Sequence, residues 1–335
     1  MQKICICGGG NLGLVCAGFL GSQKDVDLSI LTRDPASWSA ELEVYDPNQK
    51  VYRCRPSKIS ALAKDVIPSC DIVLLCLPGF AIESTLKKIM PYLTGNTIVG
   101  SIVSNTGFFF MAHDILPKSI PLFGFQRVPF IARTIKYGHK ANLLGYKNDL
   151  RVAVEGCDDR ENFREIVETL FKTPTRLLDS YYEASLTNSN PILHTGRLYS
   201  LWKDWHGQAY ERPIMFYKEW TDDSSQIIID MDEEFMKLTK ALGFSENAIP
   251  SLLTYYESTD NRSLTKKISS IPAFMEISAP MRLESNGWVP DFSTRYFTED
   301  FPYGLKKIYD LLKTNNIDCP NIERVYKWGS SIIDL

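Results

Sequence analysis

The histidines are the first candidates for chemistry, because imidazole exchanges protons near neutral pH. The 335-residue chain has only four, namely His113, His139, His194 and His206. His194 ends the segment NPILH at 190–194, where a helix would place Asn190 and His194 one turn apart on one face. This polar pair in an apolar context is a candidate acid–base and substrate-binding site, and a buried or capping histidine is the simpler alternative.

A second polar cluster lies near the end of the chain, in the segment TRYFTEDFPYGL at 294–305. Thr298 is a suitable helix N-cap, which would explain the two acidic residues after it without any function. It does not explain Arg295, whose guanidinium could bind a carboxylate through two hydrogen bonds. An aspartate bonded to a histidine would fix the tautomer of the imidazole and stabilise its protonated form. This segment is therefore a candidate partner for His194.

A glycine-rich segment near the N-terminus is typical of a dinucleotide site. It has the pattern G-x-G-x-x-G, directly after a β-type run and before a helical stretch. In this pattern the first glycine permits a tight turn, the second lets the backbone approach a pyrophosphate, and the third allows close helix–strand packing. The helix N-terminus adds unpaired N–H groups and a positive dipole end. We therefore expect a cofactor site at Gly8, Gly10, Asn11, Leu12 and Gly13, the alternative being a turn without a ligand.

The residues at the end of the second predicted strand indicate which cofactor is bound. An acidic residue about 20 positions past the glycines would bind the ribose hydroxyls of NAD. This chain has Thr32 and Arg33 there, and Asp34 comes slightly late. Because arginine suits phosphate geometry, we expect NADP(H), with NAD(H) as the alternative and a solvated surface charge as the simpler role of Arg33. Leu77 and Pro78 end the next long strand and are expected to line the cofactor.

The elements that must position these residues alternate in the first half of the chain. Strands are predicted at 2–7, 26–31, 71–77, 98–103 and 150–154, with helices at 14–22, 82–92 and 159–171. This order predicts an α/β fold, with a doubly wound parallel sheet of Rossmann type over residues 1–178. The second half has mostly helical periodicity, with candidates at 183–203, 230–242, 246–257 and 300–315. We expect an all-helical second domain over residues 179–335.

The composition excludes several classes of function. With 37 basic and 40 acidic residues the net charge is −3, which gives no general attraction to nucleic acid or an anionic membrane. No run of 18 apolar residues is present, so we expect no membrane span. Eight cysteines without a C-x-x-C pair or a zinc-type spacing indicate a reducing, cytoplasmic location, with neither structural disulfides nor a metal site. The oligomeric state stays open, and a homodimer is one alternative.

Five segments of the chain resemble the NAD(P)-dependent octopine/nopaline (opine) dehydrogenase family. They are GGGNLG at 8–13, GFQRVPFIARTIKYG at 124–138, NPILH at 190–194, FYKEW at 216–220 and RYFTEDFPYGL at 295–305. They follow the order of the family over nearly the whole length. The resemblance implies a Rossmann domain, a helical second domain, and the NAD(P)H-dependent reductive condensation of an amino acid with a 2-oxo acid.

The same resemblance implies roles for individual residues. His194 would be the acid–base group and Asp300 its dyad partner. Arg295 would bind a substrate carboxylate, and Gln126 falls at a position that resembles a substrate contact. The partners are accordingly expected to be small molecules.

Two other functions fit parts of this pattern. A ketopantoate-reductase-like enzyme shares the plan of a Rossmann and a helical domain. A resemblance to that family would imply a catalytic lysine near the start of the second domain. The corresponding segment EASLTN at 183–188 has no lysine, which disfavours this alternative. A non-catalytic NADP(H)-sensing protein would bind the cofactor tightly and would need neither His194 nor Asp300.

Overall fold

The computed structural model of the chain describes residues 1–245 and 248–333. The chain divides into two compact units, residues 1–185 and 186–335. The domain boundary predicted after residue 178 falls shortly before this division. None of the described helices combines the length and the apolar content that crossing a bilayer requires.

The first unit is an α/β unit. Its strands are β1 (Gln2–Cys7), β2 (Val26–Leu31), β3 (Leu42–Tyr45), β4 (Val51–Cys54), β5 (Lys58–Ser60), β6 (Ile72–Leu75), β7 (Ile98–Ser101), β8 (Leu122–Phe125), β9 (Phe130–Lys136), β10 (Lys140–Tyr146), β11 (Leu150–Glu155) and β12 (Thr175–Leu177). Its helices are α1 (Asn11–Gly21), α2 (Ala63–Val66), α3 (Gly79–Ile89), α4 (Phe108–Ile115) and α5 (Arg160–Phe171), and α6 (Tyr181–Leu186) lies at the division. The Rossmann-type fold is thus confirmed.

The main sheet has eight strands in the order β12-β11-β8-β7-β6-β1-β2-β5. Six neighbouring strands of this sheet are parallel, as predicted, namely β8, β7, β6, β1, β2 and β5. In contrast, β11 pairs antiparallel with β8. The strand predicted at 150–154 therefore does not extend the parallel part. The reason is the connection between β8 and β11, which consists of the antiparallel pair β9–β10. A parallel arrangement of β8 and β11 would need a crossover that returns the chain to the starting edge of the sheet.

Most of helix α1 is buried because it packs against two sheets. Residues 13–20 are all buried. One side lies on the main sheet, and the other lies on a second sheet of four strands in the order β4-β3-β10-β9. A Cβ at Gly18 would come within 2.3 Å of the Val44 side chain, so a small residue lets α1 approach this second sheet. The four strands of this sheet were not predicted.

The second unit is mainly helical, as predicted. Its helices are α7 (Asn190–Trp202), α8 (Asp222–Ala241), α9 (Leu252–Tyr255), α10 (Asn261–Ile268), α11 (Arg295–Thr298), α12 (Lys306–Thr314) and α13 (Pro320–Ile333), and residues Asp300–Leu305 form a π-helical segment. A small hairpin of β13 (Met281–Glu284) and β14 (Gly287–Pro290) was not predicted.

Several boundaries in this unit differ from the prediction for local reasons. The single helix predicted at 183–203 is interrupted between α6 and α7, where Pro191 occupies the first turn of a new helix. Helix α8 begins before the predicted residue 230, because Thr221 caps it by accepting a hydrogen bond from the Ser224 N–H at 3.2 Å. Of the helix predicted at 246–257, residues 246 and 247 lie outside the described residues, and α9 is a short part of the rest.

Candidate functional site

The glycine turn between β1 and α1 has the three properties that a phosphate-binding turn needs. Gly8 has a φ of +112°, and a Cβ there would lie 2.6 Å from the Cys76 carbonyl oxygen. A Cβ at Gly13 would lie 2.2 Å from the Gly8 carbonyl oxygen, so this glycine permits the helix to pack on the turn. Gly10 is the N-cap of α1, and no described atom comes within 4 Å of a Cβ built there. The open space at Gly10 and the helix N-terminus therefore fit an approaching diphosphate.

A cavity of about 620 Å³ opens beside this turn, within the first unit. Six of its lining residues are predicted cofactor contacts, namely Gly8, Gly10, Thr32, Arg33, Leu77 and Pro78. They lie at the carboxyl ends of parallel strands, where ligands of open α/β sheets bind. The lining residues that the sequence did not predict come mainly from α3 and from the β9–β10 turn, and they include Ala81, Ser84, Thr85, Lys88 and Tyr137.

The charge of this cavity is positive. Arg33 and Lys88 are its cations, and the described residues that line it include no carboxylate. The Lys88 Nζ donates a hydrogen bond to the Ala61 carbonyl at 2.7 Å, which fixes the ammonium at the cavity. The carboxylate of Asp34 instead accepts a hydrogen bond from the Ser37 hydroxyl.

Tyr137 contributes a hydroxyl to the same cavity. Its Oη lies 3.3 Å from the Oγ1 of the buried Thr32. The residue belongs to the segment 124–138 that carried the family resemblance, but no role was predicted for it. A polar wall of two hydroxyls and two cations therefore faces the space at the end of β2.

Besides Gly13, three predicted cofactor or substrate residues of the first unit lie away from the lining of this cavity. The Asn11 Oδ1 accepts a hydrogen bond from the Thr134 N–H at 2.9 Å, which ties the glycine turn to β9. Leu12 packs against the hydrophobic core. Gln126 follows β8 directly, is half-buried, and donates its backbone N–H to the Arg151 carbonyl at 2.9 Å. None of the three is among the described residues that line the cavity.

In the second unit, His194 and Asp300 lie together although 106 positions separate them. The His194 Nδ1 and the Asp300 Oδ2 are 2.8 Å apart, and the side chains are only 12% and 18% exposed. A carboxylate only accepts hydrogen bonds, so the Nδ1–H donates to it and the Nε2 is left to exchange a proton. The other nitrogen, Nε2, lies 2.9 Å from the Oη of Tyr217.

The two segments that supply this pair meet through their proline and glycine residues. Pro191 lies in the first turn of α7, and a Cβ at Gly304 would lie 2.6 Å from its ring. This close contact holds the π-helical segment that starts at Asp300 against the helix that carries His194. Single π-helical turns are frequent at functional sites because they displace a side chain from its regular α-helical position.

The N-cap interpretation of Thr298 is wrong. Helix α11 already begins after Thr294, and Thr298 is its last residue. The Thr298 hydroxyl donates back to the Thr294 carbonyl at 3.2 Å, so it does not cap a following helix. Asp300 is therefore directed to His194 and is not a residue of a capped first turn.

Asn190 and Arg295, the remaining predicted residues, lie in the segments that carry the pair. Asn190 begins α7, one helical turn before His194, and is half-buried. Arg295 begins α11 and is exposed, and its guanidinium has no hydrogen-bond or ion-pair partner within residues 1–245 and 248–333. The next residue, Tyr296, has its ring centroid 4.8 Å from that of His194. An unpaired guanidinium is available to bind a carboxylate.

Metal-binding groups and thiols can be surveyed in the part of the chain that the structure describes. The described part of the chain holds no group of three histidine, cysteine, aspartate or glutamate residues that could bind a metal ion. All eight cysteines lie in that part and are free thiols, seven of them buried.

Two family models match the chain in different parts. Residues 177–333 match the model "NAD/NADP octopine/nopaline dehydrogenase, alpha-helical domain". Residues 4–106 match the model of ketopantoate reductase PanE/ApbA. The first match includes the histidine–aspartate pair, and the second includes the glycine turn.

Relatives align over nearly the whole length. The octopine dehydrogenase of Mizuhopecten yessoensis is 24% identical over 99% of this chain and 90% of its own sequence. The tauropine dehydrogenase of Arabella iricolor is 23% identical over 99% of this chain and 92% of its own sequence. A solved octopine dehydrogenase with NADH and L-arginine has a TM-score of 0.89 at 23% identity, covering 100% of this chain and 90% of that one. At this identity the structural likeness shows the shared fold.

Proposed function

Because this chain belongs to the octopine/nopaline dehydrogenase family, we propose that it is an NAD(P)H-dependent oxidoreductase acting on CH–NH bonds. The reaction is the reductive condensation of an amino acid with a 2-oxo acid. The two substrates form an imine with loss of water, and the imine carbon and nitrogen then gain a hydride and a proton. The single observation that carries this proposal is the bond between His194 and Asp300.

The glycine turn and its cavity are the proposed cofactor site. Gly8, Gly10 and Gly13 would let the backbone and the α1 N-terminus bind the diphosphate, and Asn11 would keep the turn in place through Thr134. The bound cofactor would supply the hydride. Its identity as NADP(H) is supported by the positive charge of the cavity.

A 2′-phosphate would be bound at the end of β2. Arg33 provides a planar guanidinium, Thr32 and Tyr137 provide hydroxyls, and Lys88 provides a second cation. The Asp34 carboxylate, which would favour ribose hydroxyls, is bonded to Ser37. We therefore propose a preference for NADP(H) over NAD(H).

His194 is the proposed acid–base residue. Asp300 holds its Nδ1–H, so the proton that His194 gives up is lost from Nε2. As the imine carbon is reduced, this loss supplies the one proton that the N–H bond of the product requires. Arg295 would bind the carboxylate of the 2-oxo acid, and Asn190 and Gln126 would contact the substrates.

The test of this function is NAD(P)H oxidation with a panel of amino acids crossed with 2-oxo acids. We expect turnover with at least one pair. His194→Ala should keep cofactor affinity and lower kcat by at least about 10²-fold. His206→Ala is the matched control, because His206 is exposed and lies outside the dyad. Normal turnover of His194→Ala would reject the acid–base assignment.

The cofactor preference has its own test. Arg33→Gln should raise KM for NADPH by about tenfold, the loss of one charge-assisted contact, while KM for NADH changes little. Arg176→Gln is the control, because Arg176 is an exposed arginine of the same unit that does not line the cavity. Equal changes for both cofactors would contradict a 2′-phosphate site at Arg33.

The match of residues 4–106 to ketopantoate reductase keeps that activity as a second candidate. It covers the cofactor half, whereas the half with His194 and Asp300 matches the octopine/nopaline model. Assaying ketopantoate beside amino acid and 2-oxo acid pairs separates the two. A non-catalytic NADP(H) sensor would give tight binding and no turnover with any of them. A cytoplasmic location fits the eight free thiols, and a homodimer remains one alternative.

A further inference from the structure

Both ring nitrogens of His194 are hydrogen bonded within the second unit. The Nδ1 is 2.8 Å from Asp300 Oδ2, and the Nε2 is 2.9 Å from Tyr217 Oη. Each imidazole nitrogen has one in-plane direction for a proton or a lone pair. Because Asp300 takes the direction at Nδ1, a proton that leaves Nε2 moves along the bond to Tyr217.

Aromatic rings fix the position of the Tyr217 hydroxyl. Tyr217 is only 5% exposed. Its ring stacks on Phe274 at a centroid distance of 4.5 Å and lies parallel to Trp220 at 6.0 Å. A ring held on two sides has little freedom to move its hydroxyl away from His194.

The segment that carries Tyr217 is anchored to the helix that carries His194. Arg197, three positions after His194 on α7, is buried with 1% exposure. Its Nε donates to the Phe216 carbonyl at 3.1 Å and its Nη2 to the Glu219 carbonyl at 2.7 Å. These two carbonyls lie on either side of Tyr217 in the sequence, so the buried guanidinium fixes the backbone that positions the hydroxyl.

Burial of the Arg197 guanidinium costs free energy, because its charge is removed from water. Burial lowers the pKa of Arg197 to about 10, because the charged form loses its hydration. An apolar side chain would pack there without this cost. The three hydrogen bonds of Arg197, the third to the Ser224 hydroxyl at 2.7 Å, instead indicate that the shape of this segment matters.

We propose that Tyr217 relays the proton between His194 and the substrate. The inference rests on the proposed function, in which His194 is the acid–base residue. In the reductive direction the Nε2–H bond breaks and a new O–H bond forms on Tyr217. The original O–H bond of Tyr217 breaks at the same time, and its proton forms the N–H bond of the product as hydride reaches the carbon.

The chemistry of the hydroxyl suits a relay. Burial raises the pKa of Tyr217 well above its usual value, so the hydroxyl keeps a proton throughout and the two transfers occur together. A hydroxyl both donates and accepts, so it can bond Nε2 in either protonation state of the imidazole. The same relay operates in reverse during oxidation of the secondary amine.

The test compares Tyr217→Phe with Tyr256→Phe. Tyr256 is another buried tyrosine of the second unit, and the hydrogen bonds of the His194 ring go to Asp300 and Tyr217 instead of to Tyr256. We expect Tyr217→Phe to lower kcat by about 10²-fold or more, and Tyr256→Phe to stay within about threefold of the wild type. The double variant with His194→Ala should be no slower than the slower single variant, because both residues serve one proton transfer.

A second measurement does not depend on the stability of a variant. With the wild-type enzyme, the dependence of kcat on the deuterium fraction of the solvent should be curved, as two protons move together. A linear dependence, or a Tyr217→Phe variant that turns over like Tyr256→Phe, would overturn the relay. If His194→Ala also turns over normally, the proposed function fails; if only His194→Ala is inactive, the relay alone fails.

Discussion

The hydrogen bond between Asp300 and His194 allows the effect of a single-atom change to be worked out. Asp300→Asn keeps the size of the side chain and removes its charge. The bonded atoms are 2.8 Å apart and both side chains are largely buried. With charge centres about 4 Å apart and an effective dielectric constant of about 20, the attraction between imidazolium and carboxylate is about 4 kcal/mol. Some screening through the exposed part leaves about 3 kcal/mol, or roughly 10²-fold in rate.

The tautomer adds to this loss. The asparagine amide can present its NH₂ group to Nδ1, which would place the proton of the neutral imidazole on Nε2. We therefore expect Asp300→Asn to lower kcat by about 10²- to 10³-fold. Cofactor affinity should not change, because the glycine turn and its cavity belong to the other unit.

Initial rates of NADPH oxidation at saturating substrates measure kcat, and NADPH fluorescence titration measures cofactor affinity. The control is Asp310→Asn on α12, which breaks an ion pair with Lys306 of 2.7 Å in the same unit. If Asp300→Asn and Asp310→Asn give kcat values within about twofold of each other, the reasoning about the dyad is wrong.

Three other predictions concern the cofactor turn, stability and the substrate clamp. Gly10→Ala should weaken cofactor binding at an unchanged Tm, because its Cβ would enter the open space proposed for the cofactor. Gly13→Ala should instead lower Tm, because its Cβ would lie 2.2 Å from a carbonyl oxygen. Equal Tm losses in thermal melts would contradict this distinction. Burial raises the pKa of Asp232 to about 6, so the protonated form is favoured in the folded state and stability from this group is lost as pH rises from about 4 through 6. Asp232→Asn should therefore raise the free energy of unfolding by about 1–3 kcal/mol at pH 8 and by little at pH 4, and a gain that is the same at both pH values would contradict it. Arg295→Ala should raise KM for the 2-oxo acid by at least about tenfold with little change in KM for the amino acid, and an unchanged KM would reject the clamp.

The sequence predicted best what depends on local pattern. The bounds of β1 and β2 agree with the structure residue for residue, because an apolar run followed by a glycine turn specifies both strands of a βαβ unit. The second sheet was missed because β3 and β4 have four residues each, which is too short for a clear alternation. Its partner strands β9 and β10 lie far away in the sequence, and pairing between distant strands leaves no local signal.

The residues of the candidate site also divide into those that a local pattern reveals and those that distant parts of the chain supply. The glycines and the residues after β2 could be found from spacing alone, since they act within one supersecondary unit. Lys88 and Tyr137 could not, because they reach the cavity from α3 and from the second sheet. The pairing of His194 with Asp300 followed from the family resemblance, and Tyr217 lay in a recognised segment without a role.

Cofactor binding and acid–base catalysis, the two parts of the proposed chemistry, depend on local and on long-range structure respectively. The proposed cofactor turn is formed by residues 8–13, so its shape is set mostly by local backbone geometry. The proposed acid–base group is assembled from α7, the segment 216–219 and the π-helical segment, which touch only when the second unit is packed. A modest loss of packing in the second unit should therefore separate these three side chains before it affects the turn. Partial denaturation would then abolish turnover while cofactor binding persists, and the concentration of urea at which each is lost measures the difference directly.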